Sequence, residues 1–240
     1  MNDDRPDVET FLTKRGPDVH RTELSSPFGQ VARRLRSLVG ELSGAAQPFD
    51  GASVLDFGCA DSPYRDLFDG AEYLAADLAG NPHATMTLRD DGTVPVPDDS
   101  VDLVLSTQVL EHVADPELYL RECSRVLRPG GHLVLTTHGI MYLHRDPTDY
   151  WRWTCDGLAR VVERAGLEVV EVRGVLGLVG AALQLLQAGT ANRVPKLLRR
   201  PLVVAFQVAI GLAERRTSEL SRRENGLVLA VRAVKPSLTA

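Results

Sequence analysis

What this 240-residue chain lacks removes several classes of protein at once. It has only three cysteines. Cys59, Cys123 and Cys155 are odd in number and widely spaced, which gives no disulfide framework and no paired metal-binding motif. Reduced thiols in a cytoplasmic protein are the expectation, with no metal. No apolar run reaches the roughly 18 uninterrupted residues of a membrane-spanning helix. The opening residues MNDDRPDVET are acidic and polar, unlike a secretory signal. A net charge of -5 argues against a nucleic-acid-binding surface spread over the molecule, so no nucleic-acid partner is expected. Internal repeats and low-complexity tracts are also missing.

What remains is ordinary globular material, 44% apolar and 25% charged, long enough for one sizeable α/β domain and short for two. The most informative stretch is SVLDFGCADSPY, residues 53–64. Val54 and Leu55 lead to Asp56, and Gly58, Cys59, Ala60, Asp61, Ser62 and Pro63 then stop a strand abruptly. Such a turn brings backbone N–H groups around a cavity where polar ligand groups can approach closely. A purely structural turn has the same composition.

The rest of the chain alternates helix and strand patterns. Residues 1–27, interrupted by Pro6, Pro17 and Pro27, read as a flexible arm or short helical pieces. Val31, Leu35, Leu38, Val39 and Leu42 predict a helix over Gln30–Leu42, so 1–50 forms an arm and helix ahead of the main domain at 51–240. Tyr64–Phe68 should begin a helix after the turn. Strands are expected at Glu72–Ala76, Ala84–Leu88, Val101–Ser106, His132–Thr137, Leu167–Val172 and Gly226–Val234. Helices are expected from about Pro116 to Leu127, stopped by Arg128-Pro129-Gly130-Gly131, and from Leu158 to Ala165. This alternation predicts a doubly wound, mostly parallel seven-stranded sheet of Rossmann-like α/β type. Asp77 follows Gly58 by about 20 residues, the separation at which such folds place a carboxylate on ribose hydroxyls. A solvated aspartate at a strand end is the plainer alternative.

Taken together, VLDFGCADSPY, Ala76-Asp77, VPVPDDSVDLVLS, QVLEHVADP and RVLRPGGHLVLTT resemble the class I S-adenosylmethionine-dependent methyltransferases, the subgroup with an LEH tripeptide and an RVLRPGG segment. The resemblance covers Ser53 to Glu171, and the C-terminal strand fits the family's antiparallel last strand. It implies S-adenosylmethionine as cofactor. Asp56, Gly58 and Ala60 would line its methionine and ribose region, and Asp77 would take the ribose hydroxyls. Asp90 and Asp91 would read adenine, one by side chain and one by backbone. Ser106 and Thr107, just past the fourth strand, would flank the methionine moiety or the sulfonium. Ala60 departs from the family, which usually carries glycine there.

The acceptor is less constrained. His112 is the first candidate base for a hydroxyl, although it could instead cap a helix or brace the cofactor loop. The run THGIMYLHRDPTDYWRW, residues 137–153, begins where a strand ends and offers His138, His144 and Tyr150 to the same edge. Its aromatics, carboxylates and Arg152 suit a sugar-like or other small natural-product acceptor, and it resembles a stretch of methyltransferases that tailor glycans and glycosides. The structural alternative is that Trp151 and Trp153 seal the core while Arg152 pairs with Asp149. The expected activity is O-methylation of a small molecule. N- or C-methylation, or a non-catalytic member that binds cofactor or partner, are the alternatives. An insertion at about 177–225 holds apolar helices at Val175–Leu186 and Leu197–Leu212. Between Arg193 and Glu224 it carries eight Lys/Arg against three glutamates. A lid, a homodimer face or peripheral membrane contact through 177–215 are the readings for it.

Overall fold

The computed structural model describes residues 20–46, 49–145 and 148–237. Helix α1 (Gly29–Gly44) precedes β1 (Ser53–Phe57), β2 (Glu72–Asp77), β3 (Met86–Thr87) and β4 (Val101–Thr107). Helix α2 (Pro116–Val126), β5 (Leu127–His138), α3 (Cys155–Arg164) and β6 (Glu168–Val175) follow. Three helices, α4 (Leu178–Ala191), α5 (Lys196–Glu214) and α6 (Glu219–Asn225), lead to β7 (Val228–Val234). The strands form one sheet in the order β3-β2-β1-β4-β5-β7-β6, with β7 antiparallel to both its neighbours and the other pairings parallel.

Period-two alternation sorts the core into two layers. Leu55 and Phe57 of β1, Val104 of β4 and Leu133 of β5 face Tyr119, Leu120 and Cys123 of α2 and Leu158 and Val162 of α3. Val54, Leu103, Leu105 and Val134, their neighbours in sequence, face Val31, Leu35, Val39 and Leu42 of α1. Both sheet faces are covered, which is why these strands read as nearly continuous apolar runs.

Four local expectations are corrected. The helix expected from Tyr64 is one 3₁₀ turn, Arg65–Phe68. Pro63 and Gly70 bracket too few residues for more, and the sheet face there is already covered by α1. The third strand shrinks to Met86–Thr87, pairing with Ala76 and Asp77 only. The fifth strand starts earlier than expected: the helix before it stops at Val126, and Arg128-Pro129-Gly130-Gly131, just past that end, already lies in the irregular beginning of β5. Gly130 has φ +81°, and the β4–β5 register shifts between Val101 and Leu103, as a bulge requires. In the insertion, Val175 completes β6 and the first helix starts at Leu178. The reading of an N-terminal arm falls, through residue 19, outside the described residues.

The insertion is tied to the start of α1 by buried glutamines. Gln184, Gln187 and Gln207 each donate an amide N–H to the Pro27 carbonyl, at 2.9, 2.8 and 3.0 Å. Gln207 also accepts the Gln30 backbone N–H at 2.8 Å. Phe28, Val31, Ala32 and Leu35 are thereby held against the carboxyl edge of the sheet, where they wall a cavity. Among the described residues no helix is long and apolar enough to cross a membrane.

Candidate active site

The turn after β1 owes its shape to three left-handed residues: Gly58 at φ +83°, Ala60 at +48° and Ser62 at +51°. At Gly58 a side chain is also sterically excluded, because a Cβ would lie 2.6 Å from Cγ2 of Val109. The Ala76 carbonyl accepts the N–H groups of both Gly58 (2.8 Å) and Cys59 (3.1 Å). Ala60, which lacks glycine's freedom, is pinned from outside: its N–H donates to Oδ2 of Asp77 at 2.8 Å. Asn81 clamps the arrangement, donating from Nδ2 to the same Asp77 oxygen (2.7 Å) and to the Ala60 carbonyl (2.8 Å). Asp77 is therefore at once a wall of the cavity beside it and the holder of the turn.

That cavity, about 720 Å³, is lined by Gly58, Ala60, Asp77, Asp90, Asp91 and His112 among others. Asp91 uses its carboxylate on its own loop, accepting from the Thr93 N–H and hydroxyl at 3.0 and 2.7 Å. These bonds to Thr93 hold its pKa below the usual carboxylate value. Asp90 shares the exposed rim. A second cavity of about 230 Å³ is bounded by Phe28, Val31, Leu35, Thr107, His138 and His144 among others. Gly58, Ala60 and Gln108 line both, so the two spaces meet at the turn.

Several expected site residues lie elsewhere. Asp56 is 1% exposed beneath the turn and lines neither of these cavities. Tyr73 donates its hydroxyl to Oδ2 of Asp56 at 2.5 Å, while Oδ1 has no hydrogen-bond partner. Burial pushes its pKa up to about 7. Ser106 is inside β4 rather than past it; fully buried, it bonds to the Tyr119 hydroxyl at 2.8 Å. Thr107, the last residue of β4, does reach the smaller cavity. The Tyr150 side chain is 54% exposed and lines neither cavity; its backbone N–H donates to the Glu111 carbonyl.

The three expected histidines do converge. His112 and His144 have ring centroids 4.9 Å apart, and His138 and His144 4.7 Å. His112 Nδ1 lies 2.5 Å from the Thr148 carbonyl. Only an N–H can donate there, so the lone pair of the neutral ring is on Nε2. Glu111, which the sequence reading passed over, is fully buried among them. Thr137 donates to its Oε2 at 2.8 Å, and His138 Nε2 stands 3.3 Å from its Oε1. Burial raises the Glu111 carboxyl to about 7 and lowers the His138 imidazole well below its ordinary value. Their contact is thus not a fixed ion pair.

The loop carrying His144 is braced by Asp149. Its Oδ2 accepts the His144 N–H at 2.8 Å, and Arg152 grips the carboxylate through both terminal nitrogens at 2.6 Å each. Burial would raise the Asp149 pKa, but the Arg152 fork and the His144 N–H outweigh it and hold it well below the carboxylate range. Arg152 also donates to the carbonyls of Met141 and Tyr142. Trp151 donates to the Val113 carbonyl and Trp153 packs on the core. The Arg152–Asp149 pair and the packing of Trp153 follow the structural alternative for DYWRW, whereas Trp151, 37% exposed, does not seal the core. Asn81 and Gln108 gave no signal of their own in the sequence, and Glu111 stood there only as part of the LEH tripeptide, because their roles come from partners on other elements: Ala60 in the turn, and Thr136, Thr137 and His138 on β5.

A family model described as a methyltransferase domain matches residues 28–172. The ubiquinone biosynthesis O-methyltransferase of Dinoroseobacter shibae is 29% identical over 185 residues, covering 61% of this chain and 72% of that protein. A probable S-adenosylmethionine-dependent methyltransferase of Mycolicibacterium smegmatis is 34% identical over 149 residues, covering 55% of this chain and 58% of that protein. Among solved structures, a putative sarcosine dimethylglycine methyltransferase from Galdieria sulphuraria superposes with a TM-score of 0.59 at 16% identity, covering 87% of this chain and 86% of that one. At that identity the last likeness speaks for the fold alone. With the family model spanning more than half the chain, over the sheet and turn described above, the protein belongs to the class I S-adenosylmethionine-dependent methyltransferases.

Proposed function

We propose that the protein methylates a hydroxyl oxygen on a small acceptor with a largely apolar body, held in the smaller cavity. The observation that carries this reading is the seam between the two cavities. Gly58, Ala60 and Gln108 border both, with His112 on the side of the larger and His138 and His144 on the side of the smaller. The relatives named as O-methyltransferases of ubiquinone biosynthesis agree with oxygen as the methylated atom. Phe28, Val31, Ala32, Leu35 and Met141 give the smaller cavity apolar walls. Asp149 and Arg152, which in the sequence suggest a sugar, are engaged with each other and with backbone. An apolar or aromatic alcohol therefore suits the cavity better than a polyhydroxylated one.

The residues around the larger cavity fit S-adenosylmethionine. Gly58 lines the cavity, the cavity volume of about 720 Å³ is within the usual range for such ligands, and Asp77 keeps one oxygen, Oδ1, with a single strong donor, the Leu78 N–H at 2.7 Å. In this reading Gly58, Ala60 and Asp77 hold the methionine and ribose end, and Asp90 and Asp91 border the adenine. When bound, the cofactor supplies a methyl carbon made electrophilic by its sulfonium. The chain's part is to place the acceptor oxygen at the seam and receive its proton. His112 serves for the latter, its Nε2 lone pair fixed by the Nδ1–H bond to Thr148. Such a base contributes about 10²–10⁴-fold. Replacing His112 with Ala should lower kcat by at least ~10² while leaving cofactor affinity, measured by calorimetry, nearly unchanged. Unaltered turnover would remove His112 from this role.

A further inference from the structure

Proton transfer leaves three side chains at the seam without a task. Glu111, His138 and His144 each present a metal-type ligand atom, and these atoms lie within 4.8 Å of one another. Two of them carry unsatisfied polar atoms in the protein interior. Oε1 of Glu111, on a side chain with 0% exposure, and Nδ1 of His138, on one with 6%, have no hydrogen-bond partner. The 3.3 Å approach of His138 Nε2 to Glu111 Oε1 does not satisfy either group as a hydrogen bond. A buried polar atom left in this way is destabilising, and the two histidines of this cluster line a cavity from which an ion could reach it.

We propose that Glu111, His138 and His144 bind a divalent first-row transition-metal ion, zinc or manganese in class, at the floor of the acceptor cavity. Two imidazoles and one carboxylate form a ligand set for such ions that leaves further coordination positions open. Ligand atoms about 2.0–2.2 Å from an ion stand roughly 3–4 Å apart, so closing the site from its present spread asks for a contraction of roughly 1–2 Å at the widest pair. The surrounding bonds resemble those that orient metal ligands elsewhere. Thr137 donates to Glu111 Oε2 at 2.8 Å, which leaves Oε1 for the ion. Asp149 Oδ2 stands 3.4 Å from His144 Nδ1, so the other ring nitrogen of His144 is the ligand atom. The Arg152 fork holds Asp149 in turn. Only the ion's use rests on the O-methylation reading: an open coordination position would hold the acceptor's hydroxyl oxygen and make its proton easier to lose. Binding itself does not depend on that reading.

The test is titration of the chelator-treated full chain with Zn²⁺ and with Co²⁺, followed by calorimetry and by the visible absorption of bound cobalt. One equivalent should bind, with a cobalt spectrum typical of nitrogen and oxygen ligands. His144→Ala, at a partly exposed position that should not disturb folding, should weaken binding at least ~10-fold, and Glu111→Gln should do the same with an unchanged melting curve. No binding by the wild type, or equal binding by the His144→Ala protein, overturns the proposal. Full methyl transfer by the metal-free chain together with no binding would overturn the site while leaving methyl transfer intact. One equivalent bound in a chain that transfers no methyl group would support the site and sink the O-methylation reading.

Discussion

At the residue scale, Ala60 and Asp77 depend on each other. A non-glycine residue in the left-handed region costs roughly 1–2 kcal/mol, and here the Ala60 N–H bond to Asp77 at 2.8 Å, with Asn81 bridging both, holds it there. If Asp77 takes the ribose hydroxyls as proposed, Asp77→Ala removes a cofactor contact and releases the turn together. S-adenosylmethionine affinity should fall at least ~10-fold, about 1.4 kcal/mol, by calorimetry; an unchanged affinity would place the ribose elsewhere. Asp56 makes a separate prediction. Burial raises its folded-state pKa to about 7, whereas in the unfolded chain it titrates near 3.9. The folded protein thus retains a proton that the unfolded chain releases, and stability falls as pH rises from about 4 to about 7, with the full penalty present above that. Asp56→Asn carries no such penalty. Its melting temperature relative to wild type should rise between pH 4.5 and pH 8 and level off above pH 7; a difference constant with pH would mean that Asp56 is ionised at no cost in the folded state.

At the scale of elements, the histidine cluster is positioned by a loop whose own fold is polar. The Asp149 side chain is fully buried and Arg152 is its charged partner, while the same guanidinium ties down the Met141 and Tyr142 carbonyls. Truncating Arg152 leaves the Asp149 carboxylate without its counter-charge, which is destabilising. Arg152→Ala should lower the melting temperature and reduce methyl transfer, and Arg152→Lys should restore part of the stability but less of the turnover, since a lysine cannot reproduce the fork. Equal activity in all three proteins would show that the loop does not position the site. The insertion acts likewise on the opposite wall: Gln184, Gln187 and Gln207 converge on Pro27 and set the start of α1, which supplies Phe28, Val31 and Leu35 to the cavity. Its outer surface differs in character. Leu197 is 88% exposed and Leu198 54%, between Lys196 and Arg199.

At the scale of the molecule, what the sequence made legible was whatever is local or periodic. The apolar runs at Val54-Leu55, Val101–Leu105 and Leu133–Leu135 identify buried strands because each alternates between two covered faces. The turn at Gly58 and the carboxylate at Asp77 are legible because a tight turn restricts which residues can form it. The expected helix at Tyr64 failed because α1, from before the first strand, already covers that face, which no window around Tyr64 records. Glu111 stayed hidden for a similar reason: its partners Thr137 and His138 lie on β5, and burial among them, not any sequence pattern, sets its chemistry. Asp149 and Arg152 show the converse, a polar pair that suggests a ligand in sequence and proves to bond internally.

The reaction proposed for this protein is methyl transfer to oxygen at the seam between the two cavities. It is tested most directly by incubating the protein with S-adenosylmethionine carrying a ¹³C-labelled methyl group and a panel of phenolic, aliphatic-alcohol, amine and sugar acceptors, and reading the products by carbon NMR. A methoxy signal should appear from apolar or aromatic alcohols and be lost with His112→Ala. A label on nitrogen or carbon, transfer to sugars alone, or no transfer by a chain that calorimetry shows to bind the cofactor would contradict it.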